Sequence, residues 1–302
     1  MQRMGVVLCL VLLCGPAKAW GPGTHAYIAM RALGTTDGDM LFGAMMPDFN
    51  ALFRNWPAEM NAMQHMTHFE YGLAPRSFFT TGFTTHNGAW GADYFAHLYY
   101  DAGAPDIYST IKIREISAEF GLSMIRAEDI FEMSVEYLLR MDYGPRLGTL
   151  IAQSSSSAGQ NAAGWAAAAF AAPLAARVPG LTRETAELHI RGAAESFRNL
   201  TAYYGQGLAG EDAFVRSTLV ALLAGYLGSD AATAEAYLDR ATEICGDYRP
   251  EIDRVAEAVR ASLDANPEYQ VPMSNAALLI LIAAIAGLGS ALSIRGYRHP
   301  RT

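Results

Sequence analysis

Apolar side chains recur every three or four residues along much of the chain, and this spacing restricts the fold more than any other sequence feature. It is clearest in two runs: Ile28, Leu33, Met40 and Leu41, and then Phe120, Ile125, Ile130, Phe131, Val135 and Leu138. Such spacing gathers apolar groups on one face of an α-helix, and no alternation typical of strands bounded by hairpin turns accompanies it. The sequence therefore predicts an all-α fold.

Glycine and proline mark the expected breaks between these helices. They fall at Gly34-Thr35-Thr36, Pro47, Pro57, 71–82, 102–105 and Gly144-Pro145. These residues interrupt helical hydrogen bonding or permit left-handed backbone, so irregular loops are expected there.

Both ends of the chain carry a targeting pattern. Residues 1–19 combine Arg3, an apolar run and the ending Ala17-Lys18-Ala19, which together indicate a secretory signal peptide. Residues 275–294 are almost wholly apolar and a basic tail follows them, which is typical of a transmembrane anchor. A cleaved sorting tail and a buried core helix are the alternatives. The pattern predicts secretion across the bacterial inner membrane, with the protein periplasmic or at the cell surface and held there by its C-terminal anchor.

Composition divides the intervening chain into three parts. Residues 20–150 contain most of the histidines and form a predicted metal-binding helical core. Residues 151–180 are rich in alanine and serine with little charge, which suits a linker, a poorly ordered insertion or tightly packed Ala-rich helices. Residues 181–267 return to helical spacing, with a helix cap expected at Thr182 and a helix expected over Ala231 to Ile244.

The charge and the cysteine content argue against several kinds of binding site. The formal net charge is -8, which disfavours a general nucleic-acid binder because such proteins need a basic surface. Of the three cysteines, Cys9 and Cys14 would leave with the signal peptide. Cys245 alone can form neither an internal disulfide nor a cysteine metal site.

Five of the seven histidines are concentrated in one part of the chain, which suggests metal binding. They are His25, His65, His68, His86 and His97. Asp93, His97 and Asp101 follow one another at intervals of four, so they share a helix face. Imidazole and carboxylate one turn apart can bind the same ion.

The predicted mature chain begins at Trp20, which gives its backbone a possible chemical use. Cleavage after Ala19 would free an α-amine that loses its proton near neutral pH. That amine and the Trp20 carbonyl oxygen could chelate a divalent metal, and His25 could join the same ion.

Several motifs in order resemble the bacterial zinc-dependent phospholipase C family, whose scaffold is shared with the S1/P1 nucleases. They are the Trp-Gly-x-x-x-His of Trp20 to His25, the Pro-Asp ending at Asp48, the Thr-His-Phe around His68, and Gly91 with His97 and Asp101. The resemblance extends from Trp20 to about Met141 and implies an all-helical fold holding up to three zinc ions.

The resemblance also implies a ligand set. Trp20, His25 and Asp101 would bind one zinc ion; Asp48, His68, His97 and Asp101 would bind a second, and Asp48 would also orient the attacking water. A third ion lacks its expected histidine, because Ile107 stands at that position. Glu128, Asp129 and Glu132 are the carboxylates that remain for it. His65 and His86 match no family ligand and are interpreted either as additional or supporting ligands or as ordinary histidines.

The expected activity is therefore zinc-dependent phosphodiester hydrolysis of the phospholipase C type, acting on phospholipid headgroups at a membrane surface. The phospholipid membrane is the expected partner, nucleic acid is not favoured, and protein partners are unknown. The alternatives are an S1/P1-like single-strand nuclease, a zinc-stabilised, non-catalytic membrane-anchored binding protein, and a helical membrane-anchored protein without metal.

Overall fold

The computed structural model describes residues 20–70, 77–97 and 107–266, and every regular element in these ranges is helical. They form thirteen α-helices and two short 3-10 helices, with no strand among the described residues, so the all-α prediction is confirmed. The first seven are α1 (Pro22–Leu33), α2 (Gly38–Met45), α3 (Pro57–Phe69), α4 (Phe78–Thr85), α5 (Ala92–His97), α6 (Tyr108–Phe120) and α7 (Met124–Tyr143). The other six are α8 (Pro145–Ser157), α9 (Ala162–Arg177), α10 (Arg183–Leu208), α11 (Asp212–Leu227), α12 (Ala231–Ile244) and α13 (Tyr248–Ala265). The 3-10 helices are Met46–Leu52 and Ala158–Gln160.

Most of the predicted breaks separate helices as expected. Gly34 ends α1 with φ 66° and Gly144 follows α7 with φ 73°, a left-handed backbone that glycine adopts without steric strain. Pro57 is the first residue of α3. The break expected over 71–82 is too long, because Ser77 and Thr80 form a capping box and α4 begins at Phe78.

The described helices share one buried apolar core that extends along the chain from Trp20 to Leu263. The longest helix, α10, packs against α8 and α9, whereas α7 packs against α6 and α12. Helix α1 contacts both α7 and α13, and the first 3-10 helix contacts α3 and α10. The N-terminal segments that carry most of the histidines are thus held by the longer C-terminal helices.

Helices occupy most of residues 151–180. Among the alternatives of a linker, a poorly ordered insertion and packed helices, the structure shows packed helices. This stretch includes the end of α8, the second 3-10 helix and α9. Trp165 of α9 contacts the rings of Phe79 and Phe83 at centroid distances of 4.9 and 5.3 Å. The predicted cap at Thr182 and the predicted helix over Ala231 to Ile244 are both found.

The two predicted targeting segments, 1–19 and 275–294, lie outside the described residues. Within the ranges that the structure describes, no helix combines the length and the apolar character that a membrane crossing requires.

Helices α2 and α4 approach each other closely through two glycines. A Cβ atom on Gly82 would lie 1.9 Å from the Met40 carbonyl oxygen, and one on Gly43 would lie 2.1 Å from the Phe79 carbonyl oxygen. Real side chains cannot occupy these positions, so glycine allows the two backbones to touch. This contact matters for the site because Asp48 follows α2 and His86 follows α4.

Replacing Gly82 by alanine should therefore separate α2 from α4. We expect Gly82→Ala to lower the free energy of unfolding by about 1–3 kcal/mol, the range for forced overpacking. Gly192→Ala on α10 is the matched control, because nothing lies within 4 Å of the added methyl group. The control should raise stability by roughly 0.5–1 kcal/mol, as alanine does in a helix. Urea unfolding of both variants measures the difference, and equal effects would contradict the contact.

Candidate metal centre

Five buried side chains with metal-binding atoms converge between the N-terminal helices. They form two groups, one of His25, Asp48 and His86 and one of His68, His86 and Asp93, and within each group the ligand atoms lie within 4.8 Å of one another. None of the five residues is more than 4% exposed. Buried imidazoles and carboxylates so close together are the donor set that zinc and similar ions prefer.

The Nδ1 atoms of two of these histidines are held by backbone oxygens. His86 Nδ1 lies 3.0 Å from the Ala44 carbonyl oxygen, and His68 Nδ1 lies 3.0 Å from that of Gln64. A carbonyl oxygen can only accept, so His86 Nδ1 carries the proton and His86 Nε2 carries the lone pair. His68 Nδ1 also lies 2.8 Å from the Thr67 hydroxyl, which accepts a hydrogen bond in the same tautomer and donates one in the other. The arrangement of His86 is common for metal-binding histidines, whose second nitrogen donates to the protein.

The two Nε2 atoms face each other. They lie 3.3 Å apart, and the rings are nearly perpendicular at an interplanar angle of 86°. Two nitrogens bound to a tetrahedral zinc ion at 2.0–2.1 Å lie about 3.3–3.4 Å apart. The observed separation therefore fits a shared cation when His68 carries its proton on Nδ1, and it fits a hydrogen bond between the two rings when the proton is on Nε2.

Carboxylates lie on either side of this histidine pair. Asp48 Oδ1 is 3.6 Å from His86 Nε2 and 3.8 Å from His68 Nε2. Asp93 Oδ1 is 3.8 Å from His86 Nε2. His86 Nε2 is thus common to both groups, and because it has one lone pair it can bind only one ion at a time.

His25 completes the cluster from α1. Its ring stacks on His86 with centroids 3.9 Å apart, and neither of its ring nitrogens has a hydrogen-bond partner although the residue is 1% exposed. Burial, and next the neighbouring His86, lowers the pKa of His25 well below its ordinary value, and burial also lowers the pKa of His86. Both rings are therefore neutral near pH 7, which is the form that binds metal.

Local backbone contacts explain how His86 and Asp93 come together. His86 caps the end of α4, and the Asn87 side chain accepts hydrogen bonds from the amides of Ala89 and Trp90 to form a tight turn. The Asp93 amide then donates to the His86 carbonyl oxygen at 2.8 Å. A Cβ on Gly91 would lie 2.5 Å from the backbone of this turn, which explains the glycine there.

The start of α1 is held by a carboxylate from α7. Glu136 accepts hydrogen bonds from the backbone amides of Gly23 and Thr24, from the Thr24 hydroxyl and from the Tyr204 hydroxyl. Burial raises the pKa of Glu136 to about 7, against the opposing effect of its hydrogen bonds with Thr24 and Gly23. No motif or spacing in the sequence singles out this residue.

The side chain of Trp20 makes a hydrogen bond and a ring contact near the cluster. Its indole nitrogen donates to the Ala92 carbonyl oxygen at 3.1 Å, and its ring lies 5.3 Å from that of Phe131. It thereby ties the start of α1 to the start of α5, next to Asp93. The chelation predicted for its backbone atoms stays a prediction.

The structure brings together three of the predicted ligands, His25, Asp48 and His68, and adds two residues. His86, which matches no family ligand in the sequence, directly follows α4 and belongs to both groups. Asp93 was noticed only for its spacing with His97. Its place four residues before His97 and eight before Asp101 gave no further signal.

The remaining predicted metal ligands lie away from the cluster or outside the described residues. His65 is exposed and pairs with Glu70 at 2.8 Å, away from the cluster. Only the backbone of His97 is described, as the last residue of α5, and Asp101 lies outside the described residues. The carboxylates proposed for a third ion are buried on α7 but belong to neither described group: Glu128, Asp129 and Glu132.

The fold and the cluster define an all-helical protein with buried histidine and aspartate groups able to bind metal. Comparison with protein-family models, with curated proteins and with solved structures finds no match to this chain. The resemblance to zinc-dependent phospholipases C therefore rests on the sequence motifs.

Removing His86 should abolish metal binding by this cluster, because its Nε2 belongs to both groups. We expect zinc to raise the melting temperature of the unaltered protein and to have no such effect on His86→Ala. His65→Ala is the control, since it removes an exposed histidine of the same segment and should respond to zinc like the unaltered protein. Thermal unfolding with zinc and with chelator measures the shift; a full zinc response of His86→Ala would exclude the centre.

The metal-free protein should lose stability as the pH falls below about 6.5. His25 and His86 have pKa values below this ordinary value in the folded state, so the unfolded chain binds more protons there. Each such group lowers the free energy of unfolding by up to about 1.4 kcal/mol per pH unit below that point. His25→Phe keeps the stacked ring and should flatten this dependence. Urea unfolding with chelator between pH 5 and 7.5 tests it; an unchanged slope would contradict the assignment.

Proposed function

We propose that this protein is a zinc-dependent phosphodiester hydrolase of the phospholipase C type. The observation that carries the proposal is the pair of Nε2 atoms 3.3 Å apart, His68 and His86, with Asp48 and Asp93 beside them. The order of motifs from Trp20 to Asp101, which resembles zinc-dependent phospholipases C, supports the same reaction.

The chain's own residues suffice for one tightly held ion. His86 belongs to two groups of three donors, with His25 and Asp48 in one and His68 and Asp93 in the other, and either group would hold one ion. Zinc held there would supply a Lewis acid for phosphate oxygens and a water of lowered pKa. A second ion requires donors besides the shared His86, and the predicted ones are the Trp20 backbone, His97 and Asp101.

Asp48 is the proposed proton acceptor. Its Oδ1 lies 3.6–3.8 Å from the two imidazoles, within reach of a water that either ring contacts. In this role it would orient the attacking water and take up its proton as the phosphodiester bond breaks.

Phospholipid headgroups are the proposed substrate. The net charge of -8 repels a polyanionic nucleic-acid strand more than a single phosphodiester in a zwitterionic lipid. The predicted signal peptide and C-terminal anchor would keep the protein outside the bacterial inner membrane and close to lipid. A single-strand nuclease gains nothing comparable from an anchor.

The burial of the cluster favours a second candidate, a metal centre that only stabilises the fold. No residue of the five is more than 4% exposed, and closed sites are typical of structural zinc. A structural centre would retain zinc and raise stability without turnover of any phosphodiester.

Chelation and substitution distinguish these two candidates. We expect the full-length protein to release phosphocholine or phosphoethanolamine from vesicles of the corresponding lipids, to lose this activity with chelator and to regain it with zinc. Asp48→Asn should lower the rate by about 10²–10⁴-fold, the usual contribution of a general base.

The controls separate the possible failures. His65→Ala should retain full activity. Digestion of denatured DNA in place of vesicles would favour the nuclease alternative, and bound zinc without turnover of either substrate would establish the structural centre. Activity that is indifferent to chelator would overturn the proposal.

A further inference from the structure

The Glu136 carboxylate sits at the first turn of α1 and receives hydrogen bonds in a symmetric pattern. Oε1 accepts from the backbone amide and the hydroxyl of Thr24. Oε2 accepts from the Gly23 amide at 3.0 Å and from the Tyr204 hydroxyl. Each oxygen therefore receives one backbone N–H and one hydroxyl, and all four groups are donors.

The two glycines before His25, Gly21 and Gly23, leave space for this carboxylate. A Cβ on Gly21 would lie 2.6 Å from Glu136 Cδ, and a Cβ on Gly23 would lie 2.4 Å from Oε2. Side chains at either position would push the carboxylate away from the helix start. The Trp-Gly-Pro-Gly-Thr-His segment is thus complementary to a side chain far along the chain.

His25 lies in the same first turn. Its amide donates to the Gly21 carbonyl oxygen at 3.1 Å, so the glycine that touches Glu136 also begins the hydrogen bonding of His25. Its ring has no hydrogen bond of its own to fix it, and stacks on His86. The ring's position is therefore set by its backbone, and its backbone is set by Glu136.

We propose that Glu136 is the positioning residue of the metal centre, which fixes the start of α1 so that the His25 imidazole is presented to the ion beside His86. This inference rests on the proposed metal centre but not on its catalytic activity. An anionic group at a helix N-terminus is also electrostatically favourable, which suits a carboxylate in this place.

Glutamine is a sharp test of this role, because it keeps the size of the side chain and removes only one acceptor. Whichever way the amide is turned, its NH2 group faces a backbone N–H. We expect Glu136→Gln to weaken zinc affinity by about 10–100-fold, the usual effect of removing a group that supports a metal ligand.

The measurements must separate positioning from general destabilisation. Zinc affinity by competition with a chromophoric chelator and the visible spectrum of the cobalt-substituted protein both report on the ligands, whereas melting of the metal-free protein reports on the fold. Glu59→Gln is the matched control, since Glu59 is also buried, pairs with His189 at 2.8 Å, and lies at the opposite end of α3 from His68. It should leave affinity and spectrum unchanged.

A milder variant keeps the inference testable if Glu136→Gln does not fold. Tyr204→Phe removes one donor and leaves the carboxylate, and should weaken zinc affinity about fivefold. Zinc affinity within twofold of the unaltered protein, in Glu136→Gln or, if that does not fold, in Tyr204→Phe, would overturn the inference alone. Absence of zinc binding by the unaltered protein would overturn the metal centre and this inference together, whereas zinc binding without phosphodiester turnover would overturn only the catalytic proposal.

Discussion

A positive charge among them would stabilise imidazoles and carboxylates that are buried within a few ångströms of one another. Water is largely excluded from this cluster, since His86 is fully buried and its four companions nearly so. Burial suppresses protonation of His25 and His86, so these rings do not readily supply the charge themselves. A metal ion would supply this charge and would cross-link the segments of the chain that carry the five side chains.

Contacts in the surrounding fold hold the candidate metal-binding side chains in place without a bound ion. The Ala44 carbonyl oxygen fixes the tautomer of His86, and the Gln64 carbonyl oxygen and the Thr67 hydroxyl both contact Nδ1 of His68. Backbone contact between α2 and α4 at Gly43 and Gly82 fixes the distance between the elements on either side of the cluster. Most of these contacts involve main-chain atoms, whose positions vary less than those of side chains, so the site is largely preorganised.

The sequence predicted the helical class and much of the donor set for definite physical reasons. Periodic apolar residues and Gly or Pro breaks gave the ends of α1, α3 and α7, and motif order identified His25, Asp48 and His68. His86 matches no family ligand, so the motifs did not single it out; Ser77 and Thr80 cap the helix that positions it. The sequence does not identify Asp93 and Glu136 because their contacts are tertiary. Asp93 is positioned by the turn at Asn87, and Glu136 contacts residues more than a hundred positions away.

The bond from His86 to the Ala44 carbonyl has a consequence for how the molecule would come apart. That carbonyl belongs to α2, the helix whose backbone touches α4. Loosening this helix pair would free the imidazole to rotate and release its ion, and extraction of the ion would in turn remove a restraint on the pair. Demetallation and local unfolding should therefore be a single cooperative event, so that depleted protein becomes susceptible to proteases in this N-terminal region while the long C-terminal helices persist.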